Sequence, residues 1–294
     1  MIKADSAIWF VKMGVTCLIL FVCCWAAPRI FRNIPQFPPT TTDEQQVAIV
    51  ERYFQLPALE VVLVGSSLAY RLREQFFERG DVRNVALPGG SPLTGLAVIE
   101  ASPALRSRVI VVETNILTRG IDDRLVQRFK NARRPDDTFR PLRSLAAYYQ
   151  SALDDMLVYD AARRRSVLER PAATYDPGQG IARALIEWNK PVYREAILRD
   201  ASTLKSLVEK LETQGVKIFF VEMPYPPAMD KSGYATTTRE ILKEIFGPEN
   251  NRWLTLDYAA NELRWLDAVH LDDRSAIIIA AALDNAIRKK LAGH

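Results

Sequence analysis

Four stretches of this 294-residue chain carry residue types suited to acyl chemistry. In VVLVGSSLAYRL, from Val61 to Leu72, an apolar run meets a glycine and two serines. That is the pattern of a strand turning sharply into a helix, where free N–H groups and the helix dipole favour developing negative charge. Ser67 is therefore a candidate nucleophile and its own N–H a candidate oxyanion donor; a helix-capping serine is the other reading. NVALPGGS follows from Asn84, and Gly89 and Gly90 there allow the backbone to approach a ligand closely. VVETNIL ends an apolar run with Asn115, whose amide suits an oxyanion hole or, more simply, a turn. LDAVHLDD places Asp267 three residues before His270, a spacing that lets the carboxylate fix one imidazole tautomer and stabilise the imidazolium. The chain's only other histidine is the terminal His294, so His270 is the candidate general base.

These residues need a scaffold that brings distant segments together. Val- and Ile-rich runs at 60–64, 84–87, 109–113, 216–223 and 253–258 predict buried strands. Helical patterns separate them. Leu204, Leu207, Val208 and Leu211 recur at helical spacing, with Gly215 as the stop; Ser91-Pro92 supplies an N-cap and a first-turn proline. A final helix is expected from Asp273 to Leu291, its IIIAAAL run packed on the sheet. Strands alternating with helices predict an α/β fold with a parallel sheet covered on both faces. Ligands in such folds bind outside the carboxyl ends of the strands, where the four stretches fall. Residues 119–200, rich in Arg, Asp and aromatics, read as a helical insertion that serves as a lid, a platform or a solvated cover.

Taken together and in this order, the four stretches resemble the SGNH/GDSL family. Gly65-Ser66-Ser67 looks like its block I, Asn84 to Gly89 like block II, Glu113-Thr114-Asn115 like block III and Asp267 to His270 like block V. The resemblance implies a three-layer α/β/α, flavodoxin-like sheet. It also implies a Ser67–His270–Asp267 triad and an oxyanion hole from Ser67, Gly89 and Asn115. Three positions depart from the family pattern: Ser66 stands for an aspartate, Ala86 for a glycine and Glu113 for the block III glycine. Residues 119–200 fall outside the resemblance. The α/β-hydrolase elbow, the nearest competing serine motif, follows several strands and keeps its acid far from its histidine, unlike this chain. No Gly-x-Gly-x-x-Gly or P-loop lysine motif supports a nucleotide-binding domain.

The N-terminus has its own character. Met13 to Ala27 is an unbroken apolar stretch, flanked by Lys3, Lys12, Arg29 and Arg32. With the residues back to Ala7 it reads as an uncleaved anchor, Lys12 snorkelling to the headgroups; a cleaved signal peptide is the alternative. The expected organisation is an anchor at 1–32, a Pro-rich linker at 33–42 and an α/β domain at 43–294, outside the cytoplasm in a periplasm-like space. All three cysteines, Cys17, Cys23 and Cys24, lie in the apolar stretch, so the domain has neither disulfide nor thiolate nucleophile. A net charge of +4 without a basic, aromatic-interleaved stripe gives no sign of nucleic-acid binding, and no metal-ligand spacing occurs.

Expected chemistry is formation of an acyl-serine without metal or organic cofactor. Transfer of that acyl group to water makes an esterase; transfer to a sugar hydroxyl makes an O-acyltransferase. By family analogy, the substrate is an acyl ester or acetylated glycan of the cell envelope. A transferase would draw its acyl group from a multi-pass membrane acyltransferase partner. The rival reading is an anchored carbohydrate-binding or assembly protein, motivated by the altered blocks and by Tyr148, Tyr149, Tyr175 and Trp188.

Overall fold

The computed structural model describes residues 4–30, 41–102, 107–130, 161–174, 176–247 and 251–292. Four strands form one parallel sheet: β1 (Val61–Val64), β2 (Val82–Asn84), β3 (Val109–Glu113) and β4 (Lys217–Val221), in the order β2-β1-β3-β4. Every residue of β1 and β3 is buried. Alternate side chains of a strand point to opposite faces, so this unbroken burial means that both faces of the sheet are covered. The strand order reverses direction between β1 and β3, which creates a crevice at their carboxyl ends.

The expected run at 84–87 continues β2 in its bonding to β1: Val85 N–H donates to Leu63 O and Leu87 N–H to Gly65 O, at 2.8 and 2.9 Å. The expected fifth strand at 253–258 is a correction. It contributes a single parallel bridge, Trp253 to Phe220, flanked by bonds from Phe220 N to Arg252 O and Leu254 N to Phe220 O. Leu254 is the one buried residue of that run, so only there does the chain gain by staying on the sheet.

The helices begin and end where their caps allow. α1 is Ala4–Ile30, and α2, Thr42–Gln55, opens on Thr41, whose Oγ1 accepts the Glu44 N–H. α3 is the single turn Ser67–Tyr70, and α4, Pro92–Glu100, has the expected Ser91 cap and first-turn proline. α5 (Asp123–Lys130), α6 (Ala161–Leu168) and α7 (Gly178–Trp188) lie within the expected insertion; residues 131–160 and Tyr175 fall outside the described residues. α8 runs unbroken over Tyr193–Thr213, across the expected end of the insertion at 200, with Ile197, Asp200 and Ala201 buried. α9 is Pro227–Asp230, α10 Gly233–Phe246 and α11 Asp273–Ala292. α8 packs against α4 and α10, whereas α11 packs on α6 and the 3-10 turn Glu74–Phe76. Ile277, Ile279, Ala280 and Leu283 of α11 are buried in the core, as the IIIAAAL run leads one to expect.

Large apolar side chains along α1, including Trp9, Phe10, Val11, Leu18, Ile19 and Phe21, are more than half exposed, and none belongs to the core. Among the described residues no helix is long and apolar enough to cross a membrane. Cys17 and Cys23 are free and exposed on α1.

α8 ends in a Schellman motif. Val216 N–H donates to Leu211 O and Gly215 N–H to Glu212 O, with Gly215 at φ +85°. A Cβ on Gly215 would meet nothing within 4 Å, so replacing it costs only the left-handed backbone. Gly215→Ala is expected to destabilise the fold by about 1 kcal/mol and lower the thermal midpoint by about 2–4 °C. Calorimetry showing an unchanged midpoint would contradict this assignment of the helix stop.

Candidate functional site

The site is assembled from turns that leave the sheet at one edge. After β1 the chain bends at Gly65, and Ser66 caps α3 through its Oγ, which accepts the Leu68 N–H at 3.2 Å. Ser67 thus occupies the first helical position, where an N–H has no carbonyl four residues earlier to bond. Asn84, at the end of β2, holds the other end of this turn: its Nδ2 donates to Ala69 O at 2.9 Å and Leu72 O at 2.7 Å. The turn that follows carries Gly89. Leu87 O accepts the Gly90 N–H at 2.9 Å, Pro88 sits second and Gly89 third at φ +69°, the arrangement of a type II turn. α2 braces both loops, with Gln46 Nε2 donating to Pro88 O and Gln45 Nε2 to the Tyr70 hydroxyl.

Asp267 and His270 sit on a small hairpin between Arg264 and Asp272. Asp272 N–H bonds Arg264 O and Leu266 N–H bonds His270 O, around an antiparallel bridge of Trp265 with Leu271. Asp272 then caps α11 by accepting the Ser275 N–H. At the hairpin's tip, Asp267 Oδ1 accepts the N–H groups of Val269 and His270, both at 2.9 Å. This is why the two residues work at a spacing of three: the carboxylate folds its own loop and, in doing so, faces the imidazole.

Ser67, His270 and Asp267, the three expected triad residues, come together. Ser67 Oγ is 2.8 Å from His270 Nε2, and His270 Nδ1 is 2.7 Å from Asp267 Oδ2. Burial alone would raise the Asp267 carboxyl, but the two backbone N–H groups and the imidazole outweigh it and hold the group below the usual carboxylate range. An ionised Asp267 requires the proton on Nδ1. Nε2 then accepts from the Ser67 hydroxyl, the arrangement that lets an imidazole deprotonate a serine. Arg71 joins the two halves across 200 residues of sequence: its Nε donates to Leu271 O at 3.0 Å and its Nη2 to Asp273 Oδ1 at 2.8 Å. Nothing in the sequence flagged Arg71, because a lone arginine after a helix turn carries no motif.

The expected oxyanion donors are placed unequally. The Ser67 N–H heads α3, and Gly89 is exposed on its turn. Asn115 is only 2% exposed, and its amide is paired with the Met223 backbone: Nδ2 donates to Met223 O at 2.8 Å and Oδ1 accepts Met223 N–H at 2.7 Å. Its main work is to tie the end of β3 to the segment after β4, leaving one Nδ2 hydrogen uncommitted. A cavity of about 170 Å³ opens beside it, lined by Asn115, Glu222, Tyr225, Arg239 and Trp253 among others, but no triad residue borders it, so it is a poor candidate for an acyl pocket.

Two of the departures in sequence meet in space. Glu113 Oε2 accepts the Ser66 N–H at 2.6 Å and the Ser66 hydroxyl at 2.7 Å. Of the aromatics in the insertion, Tyr148, Tyr149 and Tyr175 lie outside the described residues. Trp188 packs on Tyr225 and Tyr234, with ring centroids 5.4 and 4.8 Å away, and so serves as packing. Among the described residues no cluster of His, Cys, Asp and Glu could hold a metal ion. No family model, curated protein or solved structure matches this chain.

The lowered Asp267 carboxyl makes the hairpin's stability depend on pH. A depressed folded value means that the contribution is full above the ordinary carboxylate range and is lost as pH falls through the folded value. Asp267→Asn should therefore be less stable than wild type near pH 6, with the gap narrowing as pH falls below the ordinary carboxylate range and through the lowered Asp267 value. Urea midpoints measured across that range decide it; a gap that stays constant with pH would refute the ionised pair.

Proposed function

We propose that this chain is a membrane-anchored acyl-serine enzyme of the SGNH/GDSL type, acting on an acylated glycan of the cell envelope. The observation that carries the reading is the continuous line of hydrogen bonds from Ser67 through His270 to Asp267. The strand order β2-β1-β3-β4, buried on both faces, supports the flavodoxin-like, three-layer arrangement of that family.

The proposed reaction follows from the geometry. Ser67 Oγ attacks the acyl carbonyl while its proton passes to His270 Nε2, and Asp267 stabilises the imidazolium. In this reading the tetrahedral oxyanion is held by the Ser67 N–H and the Gly89 N–H, while the Asn115 amide stays bonded to the Met223 backbone; each oxyanion donor is worth about 3 kcal/mol of barrier. Collapse returns the proton from Nε2 to the departing alcohol and leaves acyl-Ser67. Water completes an esterase cycle, and a sugar hydroxyl completes a transferase cycle. Protein side chains suffice for every step.

Acetyl is the acyl group we favour, by family analogy, with either removal from an exported polysaccharide or transfer to it. Transfer would need a donor on the same side of the membrane, supplied by a multi-pass acyltransferase. The anchoring role of α1 rests on its exposed apolar side chains, which lie on all sides of the helix and outside the hydrophobic core. That anchor would hold the α/β domain in the periplasm or its equivalent.

The test is intact-protein mass of the full chain in detergent after mixing with a chromogenic acetyl ester. Wild type should release the chromophore through an acetyl adduct on Ser67, which Ser67→Ala abolishes. Asp267→Asn should lower turnover by about 10⁴-fold, because the amide favours the wrong imidazole tautomer. Folded wild type with neither adduct nor turnover, and glycan binding that survives Ser67→Ala, would instead favour the non-catalytic binding role.

A further inference from the structure

The acyl-serine chemistry leaves one buried ionisable group without a role. Glu113 closes β3 with 0% exposure. Its Oε2 accepts two hydrogen bonds, both from Ser66, through the backbone N–H and the hydroxyl. The Ser66 hydroxyl is thereby fixed twice, donating to Glu113 and accepting from Leu68 N–H. Ser67 lies between those two anchored residues.

Contacts on the other side tighten the same turn. A Cβ at Gly65 would fall 2.7 Å from Glu113 Oε2, 2.8 Å from Glu113 Cβ and 2.7 Å from Ala69 Cβ, so only glycine lets the carboxyl press this closely on the backbone. Glu113 Oε1 is buried with no hydrogen-bond partner. Burial pushes the carboxyl above its usual range, against the opposing effect of the Ser66 bonds and of the Ala69 and Asn115 backbone N–H groups. A carboxyl group so placed is destabilising relative to an apolar side chain of similar volume, because one oxygen is desolvated without compensation. What an apolar side chain could not supply is a rigid acceptor aimed at Ser66.

We propose that Glu113 is a positioning residue for Ser67. Acting through Ser66, it locks the turn between β1 and α3 so that Ser67 Oγ meets His270 Nε2 and the Ser67 N–H faces the acyl oxygen. The role rests on the acyl-serine reading. It makes the two departures in sequence, serine in block I and glutamate in block III, one interaction in which β3 supplies the carboxyl group.

The experiment follows labelling of the full chain in detergent by an alkyl fluorophosphonate, a serine-reactive probe, using intact mass. Labelling is measured against probe concentration, so the maximal rate and the half-saturating concentration separate, and thermal unfolding is measured in parallel. Wild type labelled at Ser67 and an inert Ser67→Ala establish that the site reacts; an unlabelled, folded wild type would overturn the acyl-serine reading and the positioning role with it. Glu113→Gln keeps an oxygen acceptor for Ser66 and is expected to hold the maximal rate within about threefold of wild type. Glu113→Met keeps the volume and removes the acceptor. Its maximal rate should fall about 100-fold, the scale of a small misplacement of a reacting group, with half-saturation unchanged and thermal stability equal or higher.

Ser66→Ala makes a smaller change and covers the case of a Glu113→Met chain that does not fold. It should slow labelling about 10-fold, with the double variant Ser66→Ala, Glu113→Gln no slower than Ser66→Ala alone. A folded Glu113→Met that labels as fast as wild type, a Ser66→Ala that does so, or losses that add in the double variant would overturn the proposal.

Discussion

Strands β1 and β3 run side by side and in the same direction, with Val64 opposite Val112 and Val61 opposite Val109. Parallel pairing in register means that the segments following the two strands leave the sheet at the same edge, within reach of each other. Gly65-Ser66-Ser67 and Glu113-Thr114-Asn115 are therefore neighbours although nearly 50 residues separate them, as the Ser66–Glu113 bonds record. Each later feature of the site depends on that edge. β2 adds Asn84 beneath α3, the turn after β2 adds Gly89, and α11 carries the His270 hairpin back to meet Ser67. The helices that make parallel pairing topologically possible also dry the sheet, and the crevice opens where the order changes direction.

Two carboxyl groups of this site sit in opposite environments. Asp267 has a side chain almost half exposed, bonded to two amides and an imidazole, and its ionised form is favoured. Glu113 is fully buried, has one bonded oxygen and one without a partner, and its neutral form is favoured relative to a solvated glutamate. Water and fixed donors stabilise the first as a charge, so it can balance an imidazolium. Desolvation denies the second that stability, so its contribution is geometric. The contrast shows how one functional group, the carboxyl, serves two ends when burial and donor count differ.

The join between the two halves is polar and long-range. Arg71 reaches the Leu271 carbonyl and Asp273, while the hairpin is stiffened by its own Asp267 and by the Asp272 cap. None of these bonds lies in the hydrophobic core, yet together they fix where His270 stands relative to Ser67. Stability and site geometry are thus held by different sets of interactions. The apolar sheet and α8, α10 and α11 supply the first, and a handful of charged and amide groups supply the second.

Local chemistry made much of this legible in the sequence. Apolar runs marked β1, β3 and β4, and the run at 84–87 marked the continuation of β2; Ser91-Pro92 and Gly215 marked a helix start and a helix stop because caps and left-handed backbone depend on neighbours within a few residues. Asp267 and His270 were readable as a pair for the same reason, since the carboxylate bonds a loop only three residues long. Composition could not show that the run at 253–258 would give one bridge in place of a strand, which depended on how little of it the sheet could bury. Nor could it show that Asn115 would spend its amide on Met223, that Arg71 would hold the histidine hairpin, or that Ser66 and Glu113 would meet. Those partners lie from 47 to 200 residues apart. Sequence fixes which groups a segment offers, but the sheet order and register decide which of them are close enough to bond.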